Sequence, residues 1–215
     1  MKRKISQSLL EWKNSSRRMP LIINGARQVG KTYIVEQFGK EHYKSVLYLN
    51  MEIESTLCKF FESELSPQKI IQYLEATKMQ EIVQGETLIF IDEIQACERA
   101  LTSLKYFCEQ MPKQHIIAAG SLLGVAINRE KYSYPVGKVD ELNMYPLDFE
   151  EFLWALNMEN LAEEIKSHYV NNEPMPEALH EVALDVYKKF FIIGGMPASV
   201  ITFLETDSFI KVQTI

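Results

Sequence analysis

Eight consecutive residues, Gly25, Ala26, Arg27, Gln28, Val29, Gly30, Lys31 and Thr32, carry the spacing G-x-x-x-x-G-K-[ST]. That spacing bends a backbone so that successive N–H groups point into one concavity, a shape that suits a phosphate. Lys31 is long enough to reach β- and γ-phosphates, and the Thr32 hydroxyl is a hard oxygen ligand suited to Mg²⁺. A Gly-rich strand-to-helix turn with a surface lysine is the alternative reading. The flanks favour the phosphate loop. Pro20-Leu21-Ile22-Ile23-Asn24 reads as a short buried strand entering it, and residues 32–38 as a helix leaving it, closed by Gly39. The N-terminus of that helix brings its partial positive charge to the same point. All eight residues are therefore candidate nucleotide contacts.

Binding a nucleotide and cleaving it need different groups. The apolar run Thr87-Leu88-Ile89-Phe90-Ile91 ends in Asp92 and Glu93. Asp92, at the tip of a buried strand, is placed to contact Mg²⁺ through its water shell, and Glu93 to polarise an attacking water. Solvated strand-end carboxylates produce the same pattern, but the upstream phosphate loop favours hydrolysis. Ser121, in Gly120-Ser121-Leu122-Leu123-Gly124, either hydrogen-bonds the γ-phosphate or attacking water, or closes a Ser/Gly turn. It is not a G-x-S-x-G nucleophile, because Ala119 occupies the first glycine position. Glu93, Lys31 and Ser121 are thus the catalytic candidates, and Thr32 and Asp92 the metal candidates. Arg27, Arg129 and Lys138 are candidate cations for the transition-state γ-phosphate, and each is equally open to a surface role. Aromatic and apolar side chains of the first helix or of residues 149–156 are candidates for an adenine wall, although aromatics at helical spacing usually form core.

The elements that must position these groups follow from hydrophobic period. Ile5, Leu9 and Trp12 mark an N-terminal amphipathic helix. Residues 45–50 read as a second strand, and Leu57, Phe60, Phe61 and Leu65 as a helical face. Ser66-Pro67 starts another helix, with Pro67 at the first helical position. The run ending at Asp92 is continuously apolar, as expected of a parallel strand covered on both faces. Leu101, Leu104, Cys108 and Met111 make a helical stripe, and His115-Ile116-Ile117-Ala118-Ala119 a further strand. Alternating strands and helices imply a three-layer α/β sheet with ligands at the C-terminal strand ends. From Asp148 onward the pattern is helical. Asp148 and Glu151 form a capping box, and a helix bearing Leu179, Val182, Val186, Tyr187 and Phe190 ends at Gly194-Gly195. The expected division is a core over residues 1–147 and a helical subdomain over residues 148–215.

Bulk properties bound the function classes. A chain of 215 residues, 47% hydrophobic and 24% charged, buries one core with a small second unit. No apolar run is long enough to cross a bilayer, and the basic N-terminus lacks the apolar core of a secretory signal. The net charge of −6 argues against a surface-wide electrostatic footprint for nucleic acid, while leaving a local basic groove open. Cys58, Cys97 and Cys108 match neither a metal-site spacing nor a disulfide framework, and His42, His115, His168 and His180 are scattered. This usage points to a reducing cytoplasm.

Six blocks in one order resemble the prokaryotic ATP-binding proteins of the AAA+ superfamily known as AAA-domain ATPases. They are residues 20–32, Ile89-Phe90-Ile91-Asp92-Glu93-Ile94-Gln95, residues 118–124, Pro135-Val136-Gly137-Lys138, residues 145–152 and Gly194-Gly195-Met196-Pro197. The resemblance implies an ASCE-type P-loop NTPase sheet, with another strand between the phosphate-loop strand and the Asp92–Glu93 strand. It also implies ATP and Mg²⁺ as ligands, and it puts Ser121 in a sensor position often held by asparagine. Lys138 stands where many relatives carry arginine, which weakens it as an arginine finger. Relatives run on past the Gly-Gly-Met-Pro block into a nuclease-like effector domain, so the resemblance implies an ATPase part whose effector lies beyond Ile215, or a naturally short protein.

Three functions use such a loop. The expectation is an Mg-dependent ATPase switch or motor. A small-molecule kinase would need an acceptor pocket and lid arginines, whereas the tail is acidic and poor in arginine. A nucleotide-gated scaffold would hold ATP or ADP without turning it over, and the intact acidic pair counts against that. DNA as a partner rests only on the relatives' effector half, and neither client nor oligomeric state is specified.

Overall fold

The computed structural model describes residues 1–121 and 134–214; Arg129 and Leu122-Leu123-Gly124 lie outside the described residues. The chain divides into two compact units, Ile5–Met144 and Met1–Lys4 with Tyr145–Ile215.

In the first unit, α1 (Ile5–Asn14) buries Leu9 and Trp12, the residues whose spacing predicts it. The loop follows β1 (Leu21–Asn24) and leads into α2 (Lys31–His42). Then come β2 (Ser45–Asn50), α3 (Ser55–Ser63), α4 (Pro67–Lys78) and β3 (Thr87–Asp92). A 3-10 turn over Ile94–Ala96, α5 (Glu98–Gln110), β4 (His115–Gly120) and β5 (Asp140–Asn143) complete the unit. The strands pair in the order β2-β3-β4-β1-β5, every pair parallel. Parallel neighbours cannot be joined by tight turns, so the chain must cross over between them, and helices serve several of these crossovers. β4 lies between β1 and β3, as the ASCE expectation requires.

Every residue of β3 and β4 is buried, which explains the apolar runs over residues 88–91 and 116–119 at their centres. On one face, Ile22, Leu49, Ile89 and Ile116 share a core with Phe61 of α3, Leu74 of α4 and Leu104 of α5. On the other, α2 lies across β2, β3 and β4. The expectation that Gly39 closes α2 is corrected here, because the helix runs three residues further. Gly39 is buried mid-helix, where a Cβ would sit 2.5 Å from Val46 Cγ2. The glycine permits close helix–sheet approach rather than ending the helix.

β5 has no counterpart in the sequence reading. Its sequence Asp-Glu-Leu-Asn is polar, and its burial alternates. As the edge strand it needs backbone partners on one side only. Asp140 N donates to Pro20 O at 2.9 Å and Met144 N to Asn24 O at 2.7 Å.

The second unit is helical among its described residues: α6 (Phe149–Ala155), α7 (Glu159–Asn171), α8 (Glu177–Ile193), α9 (Pro197–Thr206) and the short α10 (Phe209–Val212). Phe152, Leu153, Val186, Val200 and Phe203 centre its core. The capping box forms as its residue types require. Asp148 accepts from Glu151 N at 2.9 Å, and Asp148 N donates to Glu151 Oε2 at 3.3 Å. Glu151 also accepts from Lys4 N at 2.7 Å and pairs with buried Arg3 at 3.2 Å, which ties the N-terminal residues to this unit. Among the described residues no single helix is long and apolar enough to cross a membrane.

The cysteine reading is also corrected. Cys58 of α3 and Cys97 at the start of α5 form a disulfide with Cα atoms 5.7 Å apart, and Cys108 is free. Sequence spacing could not reveal the pair, because the packing of α3 against α5 creates it. A bridge across a separation of 39 residues contributes on the order of 3–4 kcal/mol. Reduction should therefore lower the denaturant midpoint, and alkylation of native protein without reductant should label Cys108 alone. Labelling at all three cysteines would contradict the bridge.

His115 supplies a second test. Its Nδ1 lies 2.7 Å from the Tyr43 hydroxyl, and burial, reinforced by Arg18 and Lys13, lowers its pKa from 6.5 to about 4. Tyr43 is itself pushed upward by burial, so it stays protonated and donates to a neutral imidazole. As pH falls below 6.5 the unfolded chain takes up this proton and the folded one does not. Stability should decline between pH 6.5 and about pH 4. Urea unfolding of His115→Gln should show a shallower decline over that window.

Candidate functional site

The parallel sheet brings the C-terminal ends of β1, β3 and β4 to one edge, and the candidate residues collect there. The loop after β1 is made of alternating backbone conformations. Gln28 has φ 67° and Gly30 has φ 95°. Left-handed residues between right-handed ones turn successive N–H groups inward, which builds an anion nest. Gln28 adopts this conformation despite its Cβ, a strain of about 1 kcal/mol. Gly25 is a glycine for a different reason, since a Cβ there would collide with the carbonyl oxygen of Met144, just after β5. The edge strand missed in the sequence thus determines why the loop begins with glycine. Ala26 and Val29 complete the loop, with Val29 fully buried beneath it.

Lys31 is buried, and its Nζ donates to the carbonyl oxygens of Gly25 and Ala26 at 2.9 and 2.8 Å. Burial pushes its ammonium below the ordinary value, against the opposing pull of Glu93 and Asp92. A buried cation at the mouth of an anion nest is stabilised by a phosphate, which repays its desolvation.

Thr32 Oγ1 donates to Asp92 Oδ2 at 2.7 Å, joining the loop to the end of β3. Asp92 is almost fully buried, and its other oxygen, Oδ1, accepts from Glu93 N at 3.0 Å. Tyr48 OH donates to Oδ2 at 3.2 Å, and Asn50 Nδ2 donates to Tyr48 OH at 3.3 Å. Burial raises the Tyr48 phenol, with the Asp92 charge adding to the effect, which keeps it a donor. Neither Tyr48 nor Asn50 was singled out from the sequence. The available signal was register, for Asn50 pairs with Asp92 where β2 and β3 end together.

Glu93 leaves the strand in the left-handed region, φ 49°, with its side chain half-buried. Gln95 Nε2 donates to Glu93 Oε2. Ser121 is buried immediately after β4, one residue beyond the Asn24–Gly120 register pair, and so sits between the loop and β3.

The cation candidates separate. Arg27 is exposed and 3.8 Å from Glu52, a contact that constrains it little. Lys138 is corrected. It precedes β5, which runs parallel to β1, so it lies at the N-terminal end of the strands, opposite the loop. There it pairs with Glu109 at 3.0 Å, and that hydrogen bond raises its pKa. It cannot reach a phosphate held by its own loop. Arg129 lies outside the described residues.

The oxygen set of Thr32 and Asp92 fits a hard divalent cation that keeps most of its waters. Residues 17–153 match the family model described as AAA domain. No curated protein matches the sequence. Solved structures to which the chain is similar include AMPPCP-bound DnaA from Aquifex aeolicus, at 13% identity and TM-score 0.46 over 94% of this chain and 58% of that one. C. elegans PCH-2 matches at 13% identity and TM-score 0.47 over 95% of this chain and 61% of that one. The Aeropyrum pernix ORC1 protein in complex with DNA matches at 13% identity and TM-score 0.43, over 73% of this chain and 47% of that one. The chain thus spans less than two thirds of the length of each. Because the family match covers well over half of the sequence, the chain belongs to the AAA-domain family, within the AAA+ superfamily of ATP-binding proteins.

Proposed function

We propose that this chain binds Mg·ATP at residues 25–32 and hydrolyses it, acting as a switch or motor module for an effector. The observation that carries the reading is the hydrogen bond between Thr32 and Asp92, which joins a phosphate loop to an acidic strand end.

In this reading the loop N–H groups and Lys31 hold the β- and γ-phosphates, with Lys31 exchanging its two carbonyl partners for phosphate oxygens. Thr32 and Asp92 hold Mg²⁺, which when bound neutralises charge on the phosphates. Glu93 takes a proton from water as that water attacks the γ-phosphorus, and the γ-phosphoryl group leaves ADP as phosphate. Ser121, buried at the end of the central strand, hydrogen-bonds the γ-phosphate or the water. The reading is supported by the segments that carry these groups, which all lie at or just after the C-terminal ends of β1, β3 and β4.

Two variants separate binding from cleavage. Glu93→Gln should bind ATP with unchanged affinity and lose about 10²-fold or more in phosphate release, the range of a general base. Lys31→Ala should lose nucleotide binding itself, measured by calorimetry with Mg·ATP. Equal phosphate release by wild type and Glu93→Gln would remove Glu93 as the base. Loss of ATP without free phosphate would indicate transfer to an acceptor, and tight ADP with negligible turnover would indicate a scaffold.

A further inference from the structure

The turn after the acidic pair carries a side chain that the hydrolysis reading leaves unused. Gln95, in the 3-10 turn over Ile94–Ala96, donates from Nε2 to Glu93 Oε2. A carboxylate only accepts, so the nitrogen end of the amide must face it. The other end, Oε1, is buried and has no hydrogen-bond partner among the described residues. A buried carbonyl without a partner is costly. Among the described residues, Gln95 is the one whose side-chain amide reaches the Glu93 carboxylate, and it carries that cost.

The surroundings hold Gln95 in place from both sides. Ile94 is fully buried, and Cys97 is almost so and bridged to Cys58. Ala96 N donates to Glu93 O at 2.9 Å and Cys97 N to Ile94 O at 3.0 Å, closing the turn. Glu93 has a half-buried side chain with several rotatable bonds. Among the described residues no other hydrogen bond holds its carboxylate. A base that swings through solvent spends little time in reach of its water, whereas one hydrogen-bonded to a neighbour on an anchored turn is already oriented.

We infer that Gln95 is a positioning residue for hydrolysis: its amide holds the Glu93 carboxylate toward the attacking water. The inference rests on the reading of Glu93 as the base. Gln95 acts through Glu93 and touches neither nucleotide nor metal.

The test is a double-mutant cycle on the full chain, measuring phosphate release from Mg·ATP and the Kd of a fluorescent ATP analogue. Gln95→Met keeps side-chain length and removes the donor. It should lower kcat on the order of tenfold with KM and Kd unchanged. Gln95→Glu keeps the shape and sets a like charge against Glu93, so kcat should fall at least as far. In a Glu93→Gln background, adding Gln95→Met should cause no further loss, because the two residues act as one unit. Wild-type kcat in either single variant would overturn the inference. So would a fall in nucleotide affinity that matches the fall in kcat, or a full additional loss in the Glu93→Gln background. If Glu93→Gln alone hydrolyses at the wild-type rate, the base reading fails and this inference falls with it. If Glu93→Gln is inactive while Gln95→Met is normal, only the inference fails.

Discussion

The 2.7 Å hydrogen bond from Thr32 to Asp92 joins the helix that follows β1 and its loop to the end of β3, a strand that is not the neighbour of β1. β4 stands between them and ends in the small residues Ala118, Ala119 and Gly120, followed by buried Ser121. Although β4 separates the two strands in the sheet, the Thr32 hydroxyl still reaches the Asp92 carboxylate directly.

Much of this was legible in the sequence because it depends on local chemistry. The loop glycines, the lysine and the threonine stand together, and the strand-to-helix context is written in adjacent residues. Strands β3 and β4 are readable because burial of every residue leaves their interiors apolar, whereas β2 shows as a short run of Val46, Leu47 and Leu49 between polar ends. What stayed hidden depends on partners distant in the chain. β5 is a four-residue edge strand whose polar sequence resembles a loop, and only its pairing with β1 makes it a strand. Gly39 looks like a helix terminator until the proximity of Val46 and Leu88 explains it. The Cys58–Cys97 bridge joins residues whose spacing matches no sequence pattern. Lys138 occupies a position suggested by motif order, but strand direction carries it to the N-terminal end of the strands, away from the loop.

Tyr48 and Gln95 illustrate a further limit. Each is one polar residue in an ordinary element, and neither has a spacing that would single it out. Tyr48 matters because β2 and β3 end in register, so a phenol two residues before the end of one strand reaches a carboxylate ending the other. Together with Thr32 and the Glu93 amide it brings three donors to Asp92. A buried carboxylate supported this way remains an acceptor of fixed orientation.

The backbone of Glu93 keeps it beside Asp92. Residues in a strand alternate faces, so a carboxylate following Asp92 in extended conformation would be carried to the far side of the sheet. Turning Glu93 into the left-handed region at φ 49° ends the strand at once. Its N–H folds back onto Asp92 Oδ1, and the following 3-10 turn brings Gln95 against its side chain. A glycine would adopt that conformation at no steric cost but would carry no carboxylate, whereas glutamate accepts about 1–3 kcal/mol of strain. The strain is sustained because buried Ile94 and Cys97 anchor the turn in the core. Two adjacent acids, which electrostatics would rather separate, are thereby kept at one edge of the sheet with their side chains committed to different partners.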